Sequence, residues 1–320
     1  MPAPPAITID LGTKPARRLA PLADYAEAAR AVAAPYLGEI GEIAKYSKQL
    51  RAFRTAYIRR QYVAELAAMS EITGLSLDQT TALNCYYDGL KFVFHGMPSM
   101  GCTAFVVDTP DGPLHARNLD WWSDNQGLSE HTLVYDFQRD RRSHYRNIAW
   151  PGFNGVLSGI APGRFAITLN AVLSEDPSAL GRPIVYTIRD VLDTAKDFAA
   201  AVDTLATAKI PCDCLLMVSG TQPGEMCVIE RTPRRHAIRR PVDGFVAVTN
   251  DYRAISGQPP GMQGQIGAST CQRFDTACAH LRDRLPQTPE GCLAILDAVR
   301  MDITVQQMTF HPRSGQQTIR

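Results

Sequence analysis

The sequence predicts a mixed α/β (α+β) fold in which a helical N-terminal part precedes a strand-rich part. Over the first hundred residues, apolar side chains recur at three- and four-residue spacing, which is typical of amphipathic helices. From Cys102 onward, short runs rich in β-branched and aromatic residues alternate with turn signals, which is typical of strands. Strands followed by helices and then by strands again favour one layered domain over repeated βαβ units.

The helical part divides into three predicted segments. Apolar periodicity predicts helices over residues 22–34 and 38–69, both rich in Ala, Leu, Glu and Arg. A shorter helix is predicted after Gly74, with Ser76 as its N-cap, because a serine hydroxyl can accept a hydrogen bond from an unpaired backbone N–H.

A β-hairpin is predicted at the start of the strand-rich part. Residues 103–107 and 114–118 flank the sequence Thr-Pro-Asp-Gly-Pro, which favours a tight turn. A turn at Asp111 and Gly112 returns the second strand beside Cys102. Further strands are predicted over 131–137, 144–150, 164–171, 214–219, 225–231, 245–249 and 304–310, with two helices within 185–206, helices over 270–285 and 289–301, and a polar tail after 310.

Composition and charge narrow the function classes. The 320 residues are 45% hydrophobic and 20% charged, with a formal net charge of +1, so no strong field attracts nucleic acid or an anionic membrane. The sequence shows neither a secretory signal pattern nor the run of about 20 apolar residues that crosses a bilayer. We therefore expect a cytoplasmic protein of bacterial type, with no nucleic-acid partner and no membrane span.

The eight cysteines are irregularly spaced, which favours reduced thiols over a disulfide framework. Cys212 and Cys214 have a spacing that could hold a metal, but no second Cys or His pair accompanies them. Because cysteine is usually buried, we expect both to be packing residues. We expect no metal and no organic cofactor.

Cys102 is the candidate nucleophile. A cysteine attacks as a thiolate and so needs a base, and nothing marks the nearest downstream histidine, His115, as that base. Cleavage of the Gly101–Cys102 bond would supply another base, the α-amino group of Cys102, whose ordinary pKa is about 7.7–8.0. Gly101 gives the backbone the freedom that such a rearrangement needs.

Arg117 and Asp120 lie on the returning strand of the hairpin. There Arg117 would favour the thiolate and Asp120 would hold the amine. The alternative is an ordinary structural ion pair.

Several motifs then follow in a fixed order. Gly-Cys-Thr at 101–103 is followed by His-Ala-Arg-Asn-Leu-Asp-Trp at 115–121. The other matching segments lie at 62–87, 152–160, 165–170, 248–252 and 269–274. Together they resemble the cysteine N-terminal-nucleophile hydrolases of the choloylglycine hydrolase superfamily, and most of all the branch of acid ceramidase and N-acylethanolamine acid amidase. The resemblance covers residues 55–275.

This resemblance implies a four-layer αββα sandwich cleaved by its own cysteine. Residues 1–101 would form a helical α-chain or propeptide and residues 102–320 the catalytic β-chain, together one domain. The resemblance also assigns roles: Cys102 is nucleophile and cleavage site, Arg117 lies by the sulfur, Asp120 orients the α-amino group, Asn250 and Asn170 form the oxyanion hole, and Arg273 completes the polar network.

Some assignments have open alternatives. The chain has Ala171 where the lipid amidases have Glu. Asn250 lies in a sequence that also favours an ordinary turn, and Asn170 and Arg273 admit structural roles. Trp121, Trp122 and Trp150 are candidates for an acyl pocket or for plain packing.

The expected activity is hydrolysis of a small linear N-acyl amide, such as a fatty-acyl amide, through a Cys102 thioester. Three alternatives remain: an acyltransferase of the isopenicillin N type, which the Gly-Cys junction also resembles, a penicillin V or bile-salt acylase, and an unprocessed binding protein. Residues 92–97 suit transient contact with a lipid surface or a buried helix end. The sequence leaves the oligomeric state open.

Overall fold

Two β-sheets packed face to face form the centre of the fold, in a computed structural model that describes residues 3–93, 100–122, 127–255 and 265–320. The strands are β1 (Ala6–Asp10), β2 (Met100–Val107), β3 (Leu114–Trp121), β4 (Leu133–Arg139), β5 (Arg142–Ala149), β6 (Ser158–Ala161), β7 (Phe165–Asn170), β8 (Cys214–Ser219), β9 (Met226–Arg231), β10 (His236–Arg239), β11 (Phe245–Val248), β12 (Thr304–His311) and β13 (Gln316–Ile319). The helices are α1 (Pro15–Arg18), α2 (Ala26–Ile40), α3 (Ser47–Tyr57), α4 (Arg60–Thr73), α5 (Leu77–Asn84), α6 (Tyr86–Val93), α7 (Gly127–Glu130), α8 (Ile184–Thr194), α9 (Phe198–Thr207), α10 (Gln265–Asp283) and α11 (Pro289–Ala298).

The two sheets are the inner layers of a sandwich. The large sheet has eight strands in the order β1-β4-β5-β6-β7-β8-β9-β10, and the small sheet has five in the order β11-β2-β3-β12-β13. Helices α8 and α9 cover the outer face of the large sheet, and α10 and α11 cover that of the small sheet. The predicted four-layer αββα fold is confirmed.

The alternation of side chains along β2 shows why this hairpin lies between two layers. Ala104 and Val106 face the large sheet and contact Leu215 and Met217 there. Phe105 and Val107 of β2 face α10 and α11. Because successive side chains of a strand point to opposite faces, Cys102 shares the face of Ala104 and points between the two sheets.

The predicted hairpin is present, with residues 108–113 as the loop between its strands and a turn closed by the Gly112 N–H donating to the Thr109 carbonyl. Cys102 pairs with Leu119, and Gly101 pairs with Asp120. Gly112 has a φ of 112°, a backbone conformation that side chains rarely adopt, which explains the glycine in the turn.

The N-terminal part contributes to both helix and sheet. Strand β1 pairs in parallel with β4 and forms an edge of the large sheet. The helices that follow join one continuous hydrophobic core with the large sheet and α8. Ser76 caps α5 as predicted, since its hydroxyl accepts a hydrogen bond from the Gln79 backbone N–H and the Gln79 side chain accepts one from the Ser76 N–H.

Two predicted helix boundaries are wrong. Helix α2 continues through Pro35 to Ile40, and the chain turns at Gly41, whose φ of 74° suits a glycine. The single helix predicted over 38–69 is instead a short 3₁₀ segment, α3 and α4, with a break at the extended residue Ile58.

Four strands carry too little local signal to be predicted: β1, β6, β10 and β13. Each has only four or five residues, and each is a strand because a neighbouring strand supplies its hydrogen-bonding partner. The expected polar tail therefore includes β13, which pairs with β12.

None of the helices that the structure describes is long and apolar enough to span a bilayer. The stretch 92–97 lies outside the described residues, apart from the backbone at the end of α6.

Candidate active site

The sulfur of Cys102 lies against the guanidinium group of Arg117 between the two sheets. Cys102 is 2% exposed and Arg117 is fully buried. Nη2 of Arg117 donates to Sγ over 3.1 Å, and both residues project from the hairpin toward the large sheet. The close contact results from cross-strand geometry, because Arg117 pairs with Ala104, two residues after Cys102 and on the same face.

Backbone carbonyls and one hydroxyl hold Arg117 in place. Its Nη1 donates to the Leu157 carbonyl over 2.8 Å and to the Ser158 hydroxyl, and its Nη2 also donates to the Leu169 carbonyl. Within the described residues, no carboxylate is bonded to Arg117. A buried positive charge therefore lies directly against the sulfur.

The backbone of Cys102 is held at both ends. Its N–H donates to Oδ1 of Asn250 over 3.0 Å, and its carbonyl accepts from Nη1 of Arg273 over 2.7 Å. Nη2 of Arg273 also donates to Oδ1 of Asn250 over 2.8 Å. The two side chains thus fix the nitrogen that cleavage would turn into an α-amino group.

Asp120 approaches from the opposite face of the hairpin. It lies an odd number of residues from Arg117, so its side chain points toward α10 and not between the sheets. Oδ1 accepts from the Thr304 hydroxyl over 2.6 Å, while Oδ2 lies 3.8 Å from Nη1 of Arg273 and has no hydrogen-bond partner among the described residues. Burial raises the pKa of Asp120, although Thr304 and Arg273 act against the rise.

Arg273 links these groups. It lies on α10, and its Nη1 also donates to the hydroxyl of Thr103 over 2.9 Å. Burial lowers the pKa of Arg273, and the neighbouring Asp120 and Cys102 oppose the shift.

The two asparagines hold different positions. Nδ2 of Asn250 donates to the Ala171 carbonyl over 2.8 Å, which leaves its second N–H for another acceptor. Nδ2 of Asn170 donates to the carbonyls of Val248 at 3.3 Å and Thr249 at 2.9 Å, so Asn170 ties β7 to the end of β11. In the described structure Asn170 makes no hydrogen bond to Cys102, and its predicted oxyanion role stays a prediction.

His115 is a structural residue of the core. Its ring nitrogens lie 3.0 Å from the Ser219 hydroxyl and 2.9 Å from the Thr168 hydroxyl. Burial, assisted by the charge of Arg117, lowers the pKa of His115 to about 3. The imidazole is therefore neutral and occupied by two hydroxyls, which does not suit a base for Cys102.

Sequence reasoning missed several partners of the site. Ser158, Thr304 and Thr270 each bond to a predicted site residue, Thr270 by accepting from the Asn250 backbone N–H over 2.9 Å. Single hydroxyl residues in ordinary sequence surroundings carry no signal of this kind. Thr103, which accepts a hydrogen bond from Arg273, differs from these residues because it directly follows the candidate nucleophile in the sequence.

A largely apolar cavity adjoins the site. It encloses about 730 Å³ of empty space, its open mouth included. Of the three tryptophans predicted as pocket candidates, Trp121 and Trp150 line it and Trp122 does not. Leu157, whose carbonyl bonds to Arg117, also lines it. The remaining lining residues come mainly from α2, α4, α5 and α6, including Tyr36 and Tyr86. Both sides of the Gly101–Cys102 bond therefore build one cavity.

Cys212 and Cys214 are buried, as expected of packing residues. Cys212 Sγ donates to Oδ1 of Asp88 over 3.2 Å. Within the described residues, no three His, Cys, Asp or Glu side chains form a group that could hold a metal ion.

Comparison with known proteins places the chain in a family. The family model "Acyl-coenzyme A:6-aminopenicillanic acid acyl-transferase" matches residues 107–301, which is more than half of the chain. The chain belongs to this acyl-transferase family. The predicted relationship to N-acylethanolamine acid amidase and acid ceramidase is also confirmed by curated relatives.

Two curated relatives of this acyl-transferase family member each match about half of the chain. The N-acylethanolamine-hydrolyzing acid amidase of Caenorhabditis elegans is 29% identical over 185 residues, which is 55% of this chain and 52% of that protein. An acid ceramidase of Heterocephalus glaber is 26% identical over 194 residues, 53% of this chain and 47% of that protein. The chain thus spans about half the length of the curated relatives that it matches.

A solved structure shares the fold. The Caenorhabditis elegans N-acylethanolamine-hydrolyzing acid amidase ortholog superposes with a TM-score of 0.56 at 24% identity, covering 66% of this chain and 93% of that chain. The acyl-transferase family match includes Arg117, Asp120, Asn170, Asn250 and Arg273 but begins after Cys102.

Proposed function

We propose that this protein cleaves itself at Gly101–Cys102 and then hydrolyses linear N-acyl amides through a Cys102 thioester. One observation carries the proposal: Cys102 has its sulfur on Arg117, its nitrogen on Asn250 and its carbonyl on Arg273. A residue kept only for packing has no need of a buried cation at its sulfur and fixed partners at its backbone.

Self-cleavage begins in the intact chain. The Cys102 thiolate attacks the Gly101 carbonyl carbon, the C–N bond breaks, and the departing nitrogen takes up the thiol proton. The product is a thioester that joins Gly101 to Sγ. Water hydrolyses this thioester, which leaves a Gly101 carboxylate and a Cys102 with free thiol and free α-amine.

Turnover reuses the freed groups. The α-amine accepts the thiol proton, the thiolate attacks the amide carbonyl of the substrate, and the proton passes to the departing amine. Water, activated by the same α-amine, then releases the acid from the thioester. Asn250 supports the nitrogen and has one N–H left for the oxyanion, where a positioned donor contributes about 3–4 kcal/mol. Asp120, with its unbonded Oδ2, would hold the ammonium form.

The cavity suits an apolar acyl group. Its aromatic walls at Trp121, Trp150 and Tyr86 favour burial of a hydrocarbon chain, and its Leu157 wall lies one hydrogen bond from Arg117. The two predicted chains, 1–101 and 102–320, would both be needed to form it.

The test compares the wild-type chain with a Cys102→Ala variant and with Cys227→Ala, which removes another buried strand thiol. Intact mass should show wild type and Cys227→Ala as two fragments, the second beginning at Cys102, and Cys102→Ala as one chain of 35.1 kDa. The first two should hydrolyse a lauroyl aminomethylcoumarin amide, and Cys102→Ala should not. Cleavage or hydrolysis that persists in Cys102→Ala would disprove the proposal, as would a wild-type chain that never divides.

Acyl transfer is the second candidate, because the family model is described as an acyl-transferase. In that reaction an amine in place of water intercepts the thioester. Turnover in the presence of hydroxylamine separates the two reactions. Free acid as the main product supports hydrolysis, and a hydroxamate that dominates at low hydroxylamine concentration supports transfer.

A further inference from the structure

Asn250 lies in a loop that a buried carboxylate holds. Glu230, on β9, is fully buried and accepts hydrogen bonds from three consecutive backbone N–H groups. The distances are 3.0 Å from Arg253 N to Oε1, 2.9 Å from Ala254 N to Oε2 and 3.0 Å from Ile255 N to Oε2. One side chain thus fixes the backbone just after Asn250.

The same carboxylate also controls the backbone before Asn250. Nε of Arg239 donates to Oε1 of Glu230 over 2.8 Å, and Nη1 of Arg239 donates to the Ala247 carbonyl over 3.0 Å. Ala247 lies on β11, three residues before Asn250. The pair Glu230 and Arg239, here named the loop clamp, therefore holds the chain on both sides of Asn250.

The loop clamp joins the two sheets at the point where the site needs them to meet. Glu230 and Arg239 belong to the large sheet, whereas Ala247 belongs to the small sheet that carries Cys102. A second contact supports the same junction, since the Tyr252 hydroxyl donates to the Arg231 carbonyl over 2.6 Å. The ring of Phe274, next to Arg273 on α10, lies 3.4 Å from the guanidinium carbon of Arg253.

We propose that Glu230 is a positioning residue for Cys102, acting through Asn250. The inference rests on the proposed function, because it assigns Glu230 a part in both self-cleavage and turnover. The position suits a carboxylate, because the groups hydrogen-bonded to it are all donors: three backbone N–H groups and a guanidinium. A glutamine at this position would place its NH2 group, which only donates, against those donors. The loop would then have to move away.

The direct test is Glu230→Gln. A small misplacement of reacting groups can cost about 10²-fold in rate, and we expect a loss of this size in the self-cleavage rate and in kcat. KM should stay unchanged, because the acyl cavity is built from other residues. Glu225→Gln is the matched control, since Glu225 also accepts from consecutive backbone N–H groups, those of Thr221 and Gln222, at the turn before β9. It should behave as wild type.

A double variant separates positioning from general stability. If Glu230 acts through Asn250, Glu230→Gln should slow an Asn250→Ala chain no further. Losses that multiply, a loss that lies in KM, or a folded Glu230→Gln chain with wild-type rates would overturn the proposal. Should Glu230→Gln fail to fold, Arg239→Gln decides, because it removes the Ala247 contact and leaves Glu230 its three backbone donors. Arg239→Gln should lower kcat. Wild-type rates in this variant would contradict the proposal that the loop clamp positions Asn250.

Hydrogen exchange tests the loop clamp independently of catalysis. In Glu230→Gln, the backbone amides of Arg253, Ala254 and Ile255 should exchange faster than in wild type, whether or not the protein is active. If the wild-type protein neither cleaves itself nor hydrolyses the amide, and these amides still exchange faster in Glu230→Gln, the proposed function has failed but the loop clamp has not. Exchange at the wild-type rate in Glu230→Gln would contradict the proposal that Glu230 holds this loop.

Discussion

At the residue scale, the site depends on two kinds of contact that differ in origin. The contact between Arg117 and Cys102 is local to one hairpin and follows from the pairing of its two strands. The contacts of Asn250 and Arg273 with the same cysteine connect residues about 150 and 170 positions apart. The first kind determines the surroundings of the sulfur, and the second kind holds the backbone of Cys102.

Removing the charge at the sulfur should disable the chemistry while leaving the fold intact. In Arg117→Gln we expect the self-cleavage rate to fall by about 10²–10³-fold, the usual cost of losing one preorganised electrostatic contact. The measurement is the rate of fragment formation by intact mass. Alkylation of Cys102 by iodoacetamide should slow in parallel, because the thiolate loses its cation.

Arg164→Gln provides the matched control for that variant. Arg164 is also a guanidinium bound to backbone carbonyls, those of Ala195, His144 and Leu192, but it has no contact with Cys102. It should cleave itself at the wild-type rate. Equal losses in the two variants would show that Arg117 matters only for stability.

The sequence predicts the local contacts of the site far better than the distant ones. The positions of Cys102, Arg117 and Asp120 follow from turn chemistry and strand alternation. Asn250 and Arg273 could be singled out only by resemblance, since nothing in their own segments indicates a partner so far away. Glu230 and Thr304 could not be found at all, because a buried carboxylate and a lone hydroxyl acquire their roles only from the tertiary fold.

At the element scale, α6 and α8 are joined by one carboxylate. Oδ1 of Asp88, on α6, accepts from the Ile184 backbone N–H at the first position of α8 over 2.8 Å. Asp88 thus acts as an N-cap supplied by another helix. Its Oδ2 is buried and has no partner among the described residues. Burial raises the pKa of Asp88 to about 7.

This raised pKa makes the stability of the protein depend on pH. The folded state binds the Asp88 proton more tightly than the unfolded chain, whose aspartates have pKa values near 3.9, so the contribution of Asp88 to stability falls as pH rises from about 4 to about 7. A tenfold difference in proton affinity between the two states corresponds to about 1.4 kcal/mol in the free energy of unfolding. Asp88→Asn removes this contribution, and its melting temperature relative to wild type should increase steadily between these pH values.

Thermal melts across that pH range check the expectation. Asp197→Asn is a suitable control, because Asp197 also caps a helix, accepting from the Ala200 N–H over 2.8 Å, but is exposed. Its difference from wild type should not follow the same course. A constant gap between Asp88→Asn and wild type across the range would rule out the raised pKa.

The long helices of this protein can be predicted from local sequence, but its short strands cannot. The helices α8, α9 and α11 lie close to their predicted positions, because long amphipathic stretches carry their own signal. Strand β1 has only five residues, and its partner β4 begins more than 120 residues later. Short strands of this kind are determined by the sheet that receives them.

At the scale of the whole molecule, a buried charge network joins the two parts of the chain. Glu65, on α4, is fully buried and bonds to Nη1 of Arg18 at 2.8 Å and to Nη1 of Arg189 at 2.5 Å. Arg189, on α8, lies 4.6 Å from the ring centres of both Tyr62 and Phe137. Removing one partner of a buried ion pair costs about 3–5 kcal/mol.

Glu65→Gln should therefore weaken the association of the two fragments after cleavage. In wild type we expect fragments 1–101 and 102–320 to co-elute in size-exclusion chromatography, and in Glu65→Gln we expect them to separate. Glu71→Gln, at an exposed position of the same helix, should behave as wild type. Co-elution of the Glu65→Gln fragments at low concentration would contradict the proposed anchor.

The parallel pairing of β1 with β4 has a consequence for the two-fragment protein that the proposed cleavage would produce. Strand β4 would be the outermost strand of the large sheet without β1, and its unpaired backbone N–H and C=O groups would be open to strand addition by another molecule. The N-terminal segment covers that side with a short strand of its own. Release of this segment would thus do more than remove a wall of the cavity: it would turn the protein into a template for its own aggregation.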